Sequence, residues 1–300
     1  MQCSTYAHAR TASLDVAYLE WNPSGRQTAV LLHGWPDSPS TWREVAELLS
    51  SRGYRVLCPA LRGFGPTRFL SSDTCRSAEP AALGRDLLDF LNVMRISNPL
   101  LVGHDWGARA VASACALQPG VAAQLALLSI GYGGANDPRQ MLPMSQAHNY
   151  WYQWFMALPQ GVIVVQEARH VFCRYLWDTW SQPGWYDQSA FEEAALAFDN
   201  PDWAAVTLHY YRHRWGLAEG DPVYAADTAR MEEAPILNVP TLVLHGAIDS
   251  CTLPGASEGK DRYFGARYER HLLDDVGHFP QREAPQAVAN ALLEFCGRTI

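Results

Sequence analysis

The sequence is short of basic residues. Lysine and arginine together number 23, against 31 aspartates and glutamates, and the formal net charge is −8. The sequence also has no long run of lysine or arginine. We therefore expect neither nucleic acid nor an anionic membrane surface as a partner. The chain also lacks a run approaching about 18 uncharged apolar residues, which excludes a predicted membrane-spanning helix.

Clustered cysteines and targeting signals are also missing. The seven cysteines are scattered, and none forms a Cys-x-x-Cys pair or a zinc-like group with histidine. The first ten residues lack the apolar core of a signal peptide. We therefore expect reduced thiols in a cytoplasmic protein. We also expect a monomer or homodimer, and neither a metal nor an organic cofactor.

What is present is a regular alternation of apolar runs and helical patterns. Continuously apolar strands separated by helices indicate a parallel sheet covered on both faces, which is the α/β class. We expect Ser40 to cap the first helix. The predicted strands are 29–32, 54–59, 99–102, 125–130, 239–244 and 268–273, and the clearest helices are 82–91, 108–117 and 287–295.

The alternation stops between residues 132 and 234. This segment is dense in aromatic residues, including seven tryptophans, and its patterns indicate helices joined by Pro/Gly turns. We therefore predict a core domain made of residues 1–131 and 235–300, with a helical cap domain of residues 132–234 inserted into it.

A strained turn is predicted at Gly103-His104-Asp105-Trp106-Gly107, between a strand and a helix. Glycines two residues before and two after the central residue are typical of a nucleophile elbow, where Asp105 takes the place usual for serine. The helix N-terminus that follows favours an ionised carboxylate. The plainer alternative is that Asp105 only caps the helix.

Other polar residues follow strands and so gather at the same edge of the sheet. Asp249 and His278 come after the last two strands, giving the chain order nucleophile, acid, histidine. Asp249 is the expected partner of His278, with Asp137 as the second choice. Asp274 and Asp275 lie too close to His278 in sequence to reach back easily.

A developing oxyanion needs two backbone N–H groups. We expect them from Trp106, directly after Asp105, and from Trp35, in the turn His33-Gly34-Trp35-Pro36. The plainer interpretation of Trp35 is core packing, and both roles are compatible.

Taken together, these motifs resemble the α/β-hydrolase superfamily, in the branch shared by epoxide hydrolases and haloalkane dehalogenases. The motifs that carry the resemblance are His33-Gly34-Trp35-Pro36, Arg62-Gly63-Phe64-Gly65, Gly103-His104-Asp105-Trp106-Gly107 and Gly277-His278-Phe279-Pro280. The resemblance implies an α/β-hydrolase fold with a cap and a covalent ester on Asp105, hydrolysed by water that His278 activates. The aromatic Trp35 favours bacterial-type epoxide hydrolases, because dehalogenases usually carry a polar halide-binding residue there.

In epoxide hydrolases two cap tyrosines supply the acid for the epoxide oxygen. By resemblance of the surrounding segments we assign Tyr152 and Tyr211, with Tyr150 and Tyr210 as close alternatives. The aromatic cap predicts a small apolar or aromatic epoxide as substrate. The residues expected to line its pocket are Trp151, Trp154, Phe155, Tyr210 and Phe279.

Two departures keep alternatives open. Pro59-Ala60-Leu61 replaces a segment in which relatives often have an aspartate. Arg109 is similar to an arginine of fluoroacetate dehalogenases, although those enzymes also carry arginine where Trp106 stands. The alternatives are a haloalkane or haloacid dehalogenase with a halide held by the N–H of Trp106 or Trp154, and a non-catalytic ligand-binding protein.

Overall fold

The computed structural model describes residues 5–133, 141–233 and 235–297. Its strands are β1 Ala7–Arg10, β2 Leu14–Trp21, β3 Gln27–Leu32, β4 Tyr54–Pro59, β5 Arg68–Phe69, β6 Leu100–His104, β7 Gln124–Leu128, β8 Thr241–Gly246 and β9 Tyr268–Leu273. Its helices are α1 Arg43–Ser51, α2 Pro80–Val93, α3 Trp106–Leu117, α4 Met144–Asn149, α5 Trp151–Ala157, α6 Pro159–Glu167, α7 Arg169–Trp180, α8 Gln188–Ala195, α9 Trp203–Arg214, α10 Ala225–Glu232, α11 Pro280–Glu283 and α12 Pro285–Gly297.

Within the described residues, these strands form a single sheet of nine. Its order is β1-β2-β4-β3-β6-β7-β8-β9, with β5 paired to β2. Every pair from β4 to β9 along this order is parallel, while β1, β5 and β4 each pair antiparallel with β2. The α/β class and the mostly parallel sheet predicted from the sequence are therefore confirmed.

The central strands are buried on both faces, as their continuous apolar runs require. All residues of β6, β7 and β8 are buried. One face packs against α2 and α3, and the other against α1 and α12. Strands β3, β6, β7, β8 and β9 run in one direction, so their carboxyl ends meet at one edge.

The helical part of the chain lies between β7 and β8. The described portion of residues 132–234 contains helices α4 to α10 and no strand. Trp177 on α7 donates its indole Nε1–H to the Pro36 carbonyl at 2.8 Å. The indole of Trp35 likewise donates to Thr207 Oγ1, on α9, at 3.1 Å. Helices of this segment therefore cover the edge of the sheet where the strands end.

Local expectations for the start of the first helix were partly wrong. A single 3-10 turn, Pro39–Trp42, precedes α1, and its cap is Ser38, whose side chain accepts the Ser40 N–H. Ser40 lies inside that turn, so it does not cap a helix. The antiparallel strands β1 and β2 were not predicted.

Candidate active site

Asp105 lies at a sharp turn between β6 and α3. Its backbone dihedrals are φ 49° and ψ −113°, a strained conformation for a non-glycine residue. A Cβ at Gly103 would lie 2.3 Å from the Gly107 carbonyl oxygen, and one at Gly107 would lie 2.3 Å from that of Leu32. Only glycines allow the turn to close. The Asp105 side chain makes no capping bond to α3, which disfavours the helix-cap interpretation.

A backbone N–H is directed at the Asp105 carboxylate. Trp35 N donates to Asp105 Oδ1 at 3.0 Å, and Asp105 is only 8% exposed. Trp106 is the first residue of α3, where backbone N–H groups have no acceptor within the helix. Both amides expected to hold an oxyanion thus lie beside this carboxylate.

His278 forms a buried pair with Asp249. His278 Nδ1 lies 2.9 Å from Asp249 Oδ2, and both side chains are fully buried. The other Asp249 oxygen accepts the backbone N–H groups of Cys251 and Thr252 at 2.8 and 2.9 Å. Asp249 therefore fixes the ring of His278 by its Nδ1–H, as a base-orienting carboxylate does.

The two members of the pair shift each other's pKa. Burial raises the pKa of Asp249, but the charges and hydrogen bonds of His278 and His245 outweigh it and hold that pKa below its usual range. Burial lowers the pKa of His278, but the Asp249 carboxylate outweighs it and raises that pKa well above 6.5. His278 Nε2 is buried without a hydrogen-bond partner in the described part of the chain.

Two of the other carboxylates considered as partners of His278 lie on the surface. Asp274 and Asp275 are exposed to solvent. Asp137 lies outside the described residues.

The main chain around His278 is held by residues that the sequence motifs did not identify. Its N–H donates to Ser181 Oγ at 3.0 Å, and its carbonyl accepts from His104 Nε2 at 2.7 Å and from Ser129 Oγ at 3.0 Å. Burial lowers the pKa of His104 to about 4, so this ring is neutral at pH 7. Of these three residues only His104 lies inside a sequence motif, and no sequence pattern indicates the other two.

The loop after β4 uses a different carboxylate from the one expected in relatives. Arg62 is fully buried and forms a two-pronged ion pair with Asp86 of α2, at 2.5 and 2.7 Å. Asp86 therefore neutralises the buried guanidinium of Arg62.

Tyr152 and Tyr211 lie together beside the indole of Trp35. Their ring centroids are 5.4 Å apart, and they lie 5.7 and 5.1 Å from the Trp35 ring. Burial raises the pKa of both hydroxyls well above 10, and the Asp105 carboxylate raises them further. Both are therefore protonated donors within electrostatic range of Asp105.

The alternative tyrosines have other neighbours. The guanidinium carbon of Arg214 lies 4.9 Å from the centroid of the Tyr150 ring, and the Tyr150 hydroxyl is 3.4 Å from Thr252 Oγ1. Tyr210 stacks on Trp106 with centroids 3.8 Å apart. Tyr152 and Tyr211, whose rings both contact that of Trp35, stay the predicted acid pair.

The residues expected to line the pocket fall into two groups. Phe279 and Tyr210 are buried, and Phe155 packs at the edge of the core. Trp151 and Trp154 are each 37% exposed. Trp154 packs on Trp215 and donates its indole N–H to the Ala147 carbonyl. Its neighbours therefore differ from those of Tyr152 and Tyr211.

Comparison with known proteins identifies the family. The model of the alpha/beta hydrolase family matches residues 29–291. The chain belongs to the alpha/beta hydrolase family. Its α/β core carries the fold of that family, and this hydrolase contains no helix, among the residues described, that is long and apolar enough to cross a membrane.

Its relatives lie in the predicted branch. Epoxide hydrolase A of Mycobacterium tuberculosis is 24% identical over 95% of each chain. An epoxide hydrolase of Caballeronia sordidicola is 27% identical over 90% of this chain and 88% of its own. A crystal structure from Klebsiella pneumoniae, provisionally assigned as an epoxide hydrolase, is 33% identical with a TM-score of 0.91 over 97% of this chain and 96% of that one. The resemblance drawn from the motifs is confirmed.

Proposed function

We propose that this hydrolase opens apolar or aromatic epoxides to vicinal diols through a covalent ester on Asp105. The observation that carries the proposal is the pair of buried tyrosines, Tyr152 and Tyr211, whose rings contact each other and the ring of Trp35, the residue whose backbone N–H binds Asp105. An epoxide oxygen needs a proton donor as its ring opens. Its carbon needs a nucleophile, and Asp105 is that group.

In the first step an Asp105 oxygen attacks an epoxide carbon and the carbon–oxygen bond of the ring breaks. Asp105 Oδ1 is bound by the Trp35 N–H, so Oδ2 is the attacking atom. The ring oxygen gains negative charge, which Tyr152 and Tyr211 stabilise by donating hydrogen bonds and a proton. The product is a hydroxyalkyl ester with Oδ1 as its carbonyl oxygen.

In the second step water attacks the carbonyl carbon of the ester. His278 Nε2 takes a proton from that water, and Asp249 stabilises the imidazolium through Nδ1–H. The charge develops on Oδ1, beside the Trp35 N–H and the first amide of α3. Collapse of this oxyanion breaks the bond between the carboxyl carbon of Asp105 and Oδ2. The hydroxyl group added from water gives its proton to the departing diol oxygen, so Asp105 is again a carboxylate, and the proton on His278 returns to the tyrosine.

The indole N–H groups disfavour the alternative of halide release. Trp106 Nε1 donates to the Tyr211 hydroxyl at 3.2 Å, and Trp154 Nε1 donates to the Ala147 carbonyl at 3.1 Å. Trp35 Nε1 is likewise bound to Thr207. The two indole N–H groups that the dehalogenase alternative names, those of Trp106 and Trp154, therefore already have acceptors.

Trapping the ester tests the proposal directly. His278→Gln keeps Asp105 and removes the base, so an epoxide probe such as styrene oxide should add its whole mass to the protein at Asp105, as seen by intact mass and peptide mapping. A haloalkane adds only its alkyl group, and such an adduct with chloride or bromide release would favour the dehalogenase. Thermal stabilisation by the epoxide with no adduct, and no diol from the wild type, would favour a ligand-binding protein.

The remaining expectations belong to the same proposal. The cap is taken as residues 132–234 and the core as 1–131 and 235–300. We propose a small-molecule substrate, no nucleic-acid or membrane partner, and a cytoplasmic monomer or homodimer. Light scattering of the purified protein and fractionation of the source cells measure the last two.

A further inference from the structure

Gln153 lies next to Tyr152 on α5 and is only 2% exposed. Its Nε2 donates to the Tyr152 hydroxyl at 2.7 Å. Successive side chains on a helix normally point in different directions, so this contact requires a group that holds the amide in place. That group is Trp215, whose indole Nε1–H donates to Gln153 Oε1 at 2.9 Å.

The bond from Trp215 determines which end of the amide faces Tyr152. An indole N–H can only donate, so the atom that it reaches must be the amide oxygen. The amide nitrogen therefore faces Tyr152, and the phenol oxygen is the acceptor there. The proton of Tyr152 must therefore point away from Gln153.

The same bond makes Tyr152 a better acid during ring opening. A hydrogen bond donated to a phenol oxygen stabilises the negative charge that remains when the proton leaves. Burial of Tyr152 opposes that charge. The Gln153 N–H is thus placed where it offsets the cost of burial in the transition state.

We propose that Gln153 is a positioning residue that holds the Tyr152 hydroxyl as a donor toward the epoxide oxygen, and that Trp215 holds Gln153. Trp215 directly follows α9, which carries Tyr211, while Gln153 belongs to α5. The Trp215–Gln153 bond therefore also joins the two helices that carry the tyrosine pair. The inference rests on the proposed epoxide opening.

The first test is Gln153→Glu, which keeps the shape and replaces the donor by an acceptor. The new carboxylate should accept the Tyr152 proton, so the rate of ester formation from styrene oxide in single-turnover experiments should fall by about 100-fold or more. Hydrolysis of the ester should stay within about twofold, because Tyr152 is an acid for the first step only. Ester formation should partly recover at acidic pH, where the introduced carboxyl group becomes protonated and can donate again.

Matched controls separate positioning from packing. Gln188→Glu makes the same change at an exposed cap position and should leave both rates unchanged. Trp215→Phe keeps a ring but removes the N–H, and should slow ester formation by about 3- to 10-fold, the value of one hydrogen bond. If Gln153→Glu does not fold, Trp215→Phe provides the test.

Two results would overturn the inference. One is ester formation at the wild-type rate in Gln153→Glu and Trp215→Phe. The other is an equal fall of both steps with no recovery at acidic pH, which indicates a structural role only. Absence of any ester in the single variant His278→Gln would instead overturn the proposed function, so the two failures are distinguishable.

Discussion

The two halves of the candidate site are held in different ways. On the core side, Asp105 and Asp249 are bound by backbone N–H groups of Trp35, Cys251 and Thr252. On the cap side, the hydroxyls of Tyr152 and Tyr211 are bound by side-chain N–H groups, from Gln153 and Trp106. Backbone donors need a particular chain path, whereas side-chain donors need only particular neighbours in space.

This difference predicts unequal sensitivity to substitution. Removing a group held by the backbone removes either the nucleophile, Asp105, or Asp249, the carboxylate that orients the base His278, and the reaction has no substitute for either. Removing one member of the tyrosine pair leaves the other in place. Five predictions test this contrast, in order of decreasing effect.

Asp105→Asn should abolish diol formation from an epoxide, with a loss on the order of 10⁴-fold or more, because the neutral amide is a poor nucleophile. Product is measured by chromatography. Asp274→Asn, the same change at an exposed position near His278, is the control and should retain full activity. Substantial diol formation by the Asp105 variant would place the nucleophile elsewhere.

Asp249→Asn should change the pH dependence as well as the rate of ester hydrolysis. Neutral His278 is the base, so wild-type hydrolysis should accelerate as pH rises toward the raised pKa of His278. Losing the carboxylate should move the midpoint to lower pH and reduce the plateau by about 10³- to 10⁴-fold, as the ring loses its orienting partner. An unchanged midpoint would show that Asp249 does not control His278.

The shifted pKa values of His278 and Asp249 also make the stability of the folded protein depend on pH. The raised pKa of His278 means that its stabilisation is lost as pH rises through the folded-state value, and the lowered pKa of Asp249 means that its stabilisation is lost as pH falls through that group's folded-state value. The melting temperatures of wild type and Asp249→Asn should therefore differ most between these two limits.

Tyr152→Phe and Tyr211→Phe should each slow ester formation by about 10- to 100-fold, and the double variant by more than either. Stopped-flow measurement of the intrinsic tryptophan fluorescence, checked by intact mass, follows this step. Tyr150→Phe is the matched control, because its hydroxyl contacts Thr252 and Arg214 instead. Equal losses in all three variants would remove the distinction between them.

Trp106→Phe should have the smallest effect. It removes the indole N–H bound to Tyr211 and keeps the backbone N–H, so ester formation should slow by about 3- to 10-fold. Ester hydrolysis should be unaffected. A larger loss in hydrolysis than in ester formation would indicate that the ring supports the oxyanion amide.

The contrast also explains what could be predicted from the sequence. The turn at Asp105 is recognisable because Gly103 and Gly107 each lie where a Cβ would meet a carbonyl oxygen at 2.3 Å. Such a constraint acts on residues close in sequence, and so produces a motif. Strand β9 was predicted to the residue, since its bounds depend on the local pattern.

Long-range side-chain contacts leave no such pattern. Gln153 and Trp215 are 62 positions apart, and Arg62 and Asp86 are 24 apart. The spacing of these residues in the sequence does not indicate either contact, because each contact depends on how distant segments pack against one another. Ser38 was missed as a cap for a smaller reason: a 3-10 turn replaces the first turn expected for α1.

Trp35 belongs to both halves at once. Its backbone N–H binds Asp105 in the core, and its indole N–H binds Thr207 on α9. Lifting α9 away from the sheet would pull on the residue that binds the carboxylate, so a displacement of α9 would reach Asp105 through one residue. Anyone grafting a different cap onto this core to change selectivity would need to supply a hydroxyl where Thr207 now stands.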